Sequence, residues 1–109
     1  MLGASVRGVS RLFVVENAKG PDYDRSRARR EQDGWDEHAA FMDRLVEEGT
    51  IVIGGPVGDV DEGERTLLVV RAQDERAARA AFEGDPWFGT VLSLVRVEPW
   101  TLWLGELPA

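Results

Sequence analysis

The sequence predicts an α+β domain of the ferredoxin-like kind: a split βαβ with element order β-α-β-β-α-β and one further strand at the C-terminus. Three observations carry this. Short runs rich in β-branched and aromatic residues recur at residues 11–16, 50–54, 65–71 and 90–98. A helix-period segment stands between the first two runs, and an alanine-rich one between the last two. The length, 109 residues, suits one domain. Residues 1–10 are expected to be a flexible lead-in and residues 11–109 the domain itself.

Each element has its own warrant. The run at 11–16 is a first strand. Residues 17–34 are polar and dense in glycine, aspartate and arginine; a connection of that length tends to be a lid or a binding segment, with a helical turn expected within 26–32. In the helix that follows, at about 100° per residue, Trp35, His38, Ala39, Phe41, Met42, Leu45 and Val46 fall in one arc and the charged residues in the other. Gly49 suits its C-terminal cap. The second strand, 50–54, leads into Gly55 and Pro56, and residues 59–64 read as a hairpin loop before the third strand. Asp74 is a candidate N-cap for a helix over 75–83, and residues 84–89 break it. After the fourth strand and Pro99, residues 100–104 read as a fifth, with Trp100, Leu102 and Leu104 on one face and Trp103 on the other. A sheet with helices on one side needs cover on the other, which predicts a homodimer.

Composition narrows the function. A net charge of −7 argues against nucleic acid and anionic membrane as partners. The absence of cysteine removes disulfides, thiol catalysis, iron–sulfur ligation and cysteine-bound zinc, and fits a cytoplasmic location. The opening residues carry no apolar region of signal-peptide length, and no window approaches a membrane span. With one histidine and no cysteine, a transition-metal site within one chain is not expected. There is no nucleophile elbow and no P-loop, so no cofactor is expected.

His38, the single histidine, lies in the apolar arc. Imidazole exchanges protons near neutral pH, although a histidine on such a face is also often a core residue satisfied by backbone. Gly54, Gly55 and Pro56 form either a turn or bulge or a place where a ligand approaches backbone N–H groups. Trp35 and Trp87 could wall an aromatic pocket. In the long loop Arg25, Arg27, Arg29 and Arg30 alternate with carboxylates. A solvated charge run is the default there; Arg25 is the candidate to close over an anionic substrate, and Tyr23 a second lid contact.

Three stretches in order, Trp35 to Met42, Gly54-Gly55-Pro56 and Asp85-Pro86-Trp87, resemble the YCII-related family of dimeric α+β barrel proteins. The resemblance runs from about Arg11 to Gly105. It implies a homodimer whose sheets close into a barrel-like core, and a His–Asp pair whose matching positions are His38 and Asp85. Asp85 followed by Pro86 is also a natural helix-cap pair, and a carboxylate can serve both roles. The resulting expectation is a small cofactor-independent enzyme of lyase or isomerase type. His38, oriented by Asp85, would move a proton on a small cyclic or aromatic, anionic substrate, with backbone amides near Gly55 facing an enolate. A non-catalytic small-molecule-binding or partner-docking module is the alternative. Haem-linked or monooxygenase chemistry, drawn from fold relatives alone, is the third.

Overall fold

In a computed structural model, residues 11–58 and 65–107 are described; the expected lead-in at 1–10 and hairpin loop at 59–64 lie outside them. Four strands, β1 (Arg11–Lys19), β2 (Ile51–Val57), β3 (Arg65–Ala72) and β4 (Leu92–Pro99), form one sheet in the order β2-β3-β1-β4. All neighbours are antiparallel. Helix α1 (Trp35–Glu47) joins β1 to β2, and α2 (Glu75–Ala80) joins β3 to β4. This is the ferredoxin-like α+β arrangement.

β1 runs past its apolar core to Lys19 because it is paired on both sides. Asn17 stands opposite Thr66 of β3 and Leu94 of β4, and Ala18 opposite Arg65 and Ser93. Two-sided hydrogen bonding holds polar residues extended where propensity alone would release them. β2 likewise continues through Gly54, Gly55 and Pro56 to Val57. As an edge strand it can accommodate a proline, so these residues are strand and not turn; the register irregularity lies earlier, between Ile51 and Ile53.

Asp74 caps α2, its Oδ1 accepting the Ala77 N–H at 2.8 Å, but the helix ends at Ala80, short of the predicted 83. A 3-10 turn, Arg29–Glu31, lies within the segment where a helical turn was predicted. The fifth strand does not form. Trp100 N–H donates to the Leu12 carbonyl at 2.9 Å, and residues 101–107 then adopt no strand. Trp103 and Leu104 are 89% and 90% exposed as a result.

Alternation along the strands separates two faces. Phe13, Val15, Leu68, Val70 and Val97 point toward the helices and pack with Leu45, Ala78 and Phe82. A smaller cluster of Tyr23, Trp87, Val91 and Leu92, with Trp35 against it, lies beside this core. On the other face Val14, Ile53, Leu67 and Val69 surround an open concavity that no described helix covers. Among the described residues no helix is long and apolar enough to cross a membrane.

Candidate active site

Gly34 sets the position of the helix that carries His38. It is the N-cap of α1 in the left-handed region, φ 82°, and a Cβ there would stand 3.2 Å from Trp87 Nε1. Glycine therefore serves twice, for backbone conformation and for close approach. Its carbonyl accepts the His38 N–H at 2.9 Å, placing the imidazole one turn into the helix, on the inward arc.

Asp85 comes from the turn after α2, where its N–H donates to the Phe82 carbonyl at 3.0 Å. Its side chain meets His38 across 47 residues of sequence. His38 Nδ1 lies 3.0 Å from Oδ1 and 2.9 Å from Oδ2, with both side chains buried. Oδ1 also accepts the Trp87 N–H at 2.9 Å, so the carboxylate caps its own turn while holding the imidazole. Trp87, 1% exposed, stacks on the His38 ring at 4.0 Å between centroids and 10° between planes. Its indole N–H donates to the Asp33 carbonyl at 2.7 Å. The ring is thus fixed at one edge by Asp85 and on one face by Trp87.

With Nδ1 committed, a neutral His38 carries its proton there and its lone pair on Nε2. Nε2 has no hydrogen-bond partner among the described residues, and His38 lines a cleft of about 640 Å³ between α1 and β2. That size suits a small organic molecule. Trp35, Gly54, Gly55 and Pro56 line the same cleft, so the first two motif stretches meet there. Trp35 leans on the site with its ring 5.9 Å from that of His38. Val46, on the predicted apolar arc, is 52% exposed because it sits on the cleft wall and not in the core.

Three predicted contacts are placed elsewhere. Trp87 backs the imidazole from inside the protein and does not line the cleft. Tyr23 is buried in the small cluster and is no lid. Arg25 is exposed and outside the cleft lining, which includes Arg29 instead. Sequence reading singled out the arginine run but had no signal for which member turns inward.

The loop that carries Arg29 is tightly bonded. The buried Gln32 amide donates to the Asp24 and Arg27 carbonyls at 2.8 and 3.0 Å, and its Oε1 accepts the Asp24 N–H at 2.9 Å. Arg27 pairs with Asp33 at 3.2 Å and donates to the Glu31 carbonyl. Hydrogen bonds from the Ser26 hydroxyl and N–H hold the Asp24 carboxyl below its ordinary pKa, assisted by the charge of Arg27. Among the described residues no group of three or more histidine, cysteine or acidic side chains could hold a metal ion.

In the comparison with known families, the model of the YCII-related domain matches residues 12–101. No curated protein and no solved structure matches the chain.

Proposed function

Because the chain belongs to the YCII-related domain family, we propose that it is a small proton-transfer enzyme of lyase or isomerase type, with His38 as general base and acid and Asp85 as its orienting partner. One observation carries the reading: both Asp85 oxygens lie within 3.0 Å of Nδ1, which directs Nε2 to the cleft. Asp85 fixes the tautomer and stabilises the imidazolium formed when Nε2 takes a proton. A carbon acid beside a carbonyl suits the site. Its C–H bond breaks, the electron pair passes to the carbonyl as an enolate, and the proton rests on Nε2. Returning that proton to a different carbon is an isomerisation; loss of a leaving group from the neighbouring carbon is an elimination. As an edge strand, β2 turns alternate backbone N–H groups away from β3, and those near Gly55 are the donors we assign to the enolate oxygen.

The test needs no knowledge of the natural substrate. Small cyclic carbonyl acids in deuterium oxide are followed for exchange of the C–H next to the carbonyl. The protein should catalyse exchange, and His38→Ala should lower the rate by about 10²–10⁴-fold, the range of general acid–base catalysis. Undiminished exchange in that variant, or tight binding of an acid with no exchange at all, would overturn the proposal; the latter result marks a sensor.

A second copy of the chain is proposed to cover the open face of the sheet. Ile53 and Trp100, 48% and 47% exposed, line its apolar concavity. Exposed apolar groups in one patch mark an interaction surface.

A further inference from the structure

We propose that Arg29 is the anion-binding residue of the His38 cleft, and that the ligand is a small molecule with a carboxylate at one end, an apolar body, and the reacting C–H at the other. This rests on the proton-transfer reading of His38 and adds the substrate class to it.

Four arginines stand in the loop before α1, and the structure separates them. Arg25 is outside the cleft lining. Arg27 is also outside the lining, paired with Asp24 and Asp33 and donating to the Glu31 carbonyl. Arg30 is exposed and outside the lining, its guanidinium carbon 5.8 Å from the centroid of the Trp35 ring. Arg29 alone of the four lines the cleft, together with His38 and Trp35, and it is half-buried. Partial burial strengthens a guanidinium's pull on an anion relative to one in open water.

The carrier is preorganised. Gln32 bonds the 3-10 turn back to Asp24 and Arg27, and Glu31 Oε1 accepts the Ala28 N–H at 3.2 Å. The turn that presents Arg29 is therefore a fixed wall of the cleft and not a closing lid, so little ordering entropy is spent when a ligand arrives. The lining also includes the apolar side chains of Trp35, Met42 and Leu68, which suits a hydrocarbon body.

Charge selects the class of anion. The chain carries −7 overall, so its general field repels anions and only a local cation can retain one. The cleft also contains the Asp43 carboxylate. One guanidinium opposed by one carboxylate favours a singly charged planar anion over a phosphate dianion. A carboxylate matches the guanidinium fork through two parallel N–H···O bonds.

The experiment uses two acid–amide pairs, benzoate with benzamide and 4-oxocyclohexanecarboxylate with its amide. Binding is read from the side-chain NMR resonance of His38, which is unambiguous because the chain has one histidine. Both acids should move that resonance and bind about tenfold or more tightly than their amides, the scale of one charge-assisted hydrogen bond. Arg29→Ala should reduce acid affinity to that of the amide and leave the amide unchanged, with Arg29→Lys between. Arg76→Ala, the same charge lost from exposed surface of α2, should bind like wild type. Neither acid binding, equal affinity for acid and amide, an acid preference retained in Arg29→Ala, or an equal loss in Arg76→Ala overturns the proposal. The proton-transfer reading is judged separately by the His38 tautomer and by deuterium exchange. It survives an inert Arg29→Ala, and the role of Arg29 survives an inert His38.

Discussion

Trp87 and His38 lie ring on ring, 4.0 Å apart and 10° from parallel, while the Trp87 N–H shares Asp85 Oδ1 with the imidazole. The three residues therefore fix one another. The Asp85 turn cannot shift without moving the tryptophan, and the tryptophan cannot shift without tilting the imidazole. Such mutual restraint is what a proton-transfer group needs, since its rate depends on the orientation of one lone pair.

The first prediction concerns that orientation. Neutral His38 should be the Nδ1–H tautomer, visible in the ¹⁵N shifts of its ring. Asp85→Asn should mix the two tautomers, because an amide can either accept from Nδ1–H or donate to a bare Nδ1. A wild-type ring with its proton on Nε2, or one unaltered by Asp85→Asn, would mean that the carboxylate does not set the tautomer.

How much of this was legible in the sequence depends on what each signal depends on. His38 was legible as an inward residue because helix periodicity is local. Asp85 carried only a local capping signal. Its pairing with His38 was implied by family resemblance, since nothing nearby in sequence reports a contact made 47 residues away. Arg29 was indistinguishable from Arg25 because the loop has no period, and its geometry is set by Gln32, a side chain with no motif of its own. The fifth strand failed for a related reason. The alternation from Trp100 to Leu104 is strand-like, but a strand also needs a neighbour, which alternation does not report, and residues 101–107 adopt no strand.

A second prediction separates two adjacent glycines. A Cβ at Gly54 would fall 2.3 Å from Leu68 Cδ2 and 3.0 Å from the Leu67 carbonyl oxygen, whereas one at Gly55 would meet nothing within 4 Å. Leu68 belongs to the main core, so it has little room to yield. Gly54→Ala should cost about 1–3 kcal/mol. Gly55→Ala should leave stability unchanged or raise it by up to about 1 kcal/mol by restricting the unfolded chain. Urea denaturation of the two variants measures this, and equal effects would contradict the packing described for β2.

A third prediction follows from Glu16, buried on the open face. Arg96 Nε–H donates to its Oε1 at 2.6 Å and Arg65 lies 3.5 Å from Oε2; Arg96 in turn holds Glu98 at 2.7 Å. The hydrogen bond from Arg96 holds the Glu16 carboxyl below its ordinary value of 4.5, with the charges of Arg96 and Arg65 acting the same way against the opposing effect of desolvation. A pKa lowered on folding means stability that is complete above the unfolded value and fades as pH falls through the folded one. The difference in melting temperature between wild type and Glu16→Gln should therefore be largest above about pH 5 and shrink steadily toward pH 3. A difference independent of pH would assign Glu16 a packing role alone.

The last prediction concerns the face on which Glu16 sits. If a second copy closes over it, light scattering should give twice the chain mass. Trp100→Glu should return the protein to a monomer. At 47% exposure the new carboxylate would still reach water in a single chain, at little cost to its folding. In a closed interface it would be desolvated with no partner, which is strongly unfavourable. The cleft shares Ile53, Gly54, Gly55 and Pro56 with the open concavity, but the imidazole itself is held by Asp85 and Trp87, so the monomeric variant should keep the His38 tautomer of the wild type. That combination, a lost dimer with an intact imidazole, distinguishes a disrupted interface from a damaged fold. A wild-type protein already monomeric at high concentration would leave the open face without the proposed partner.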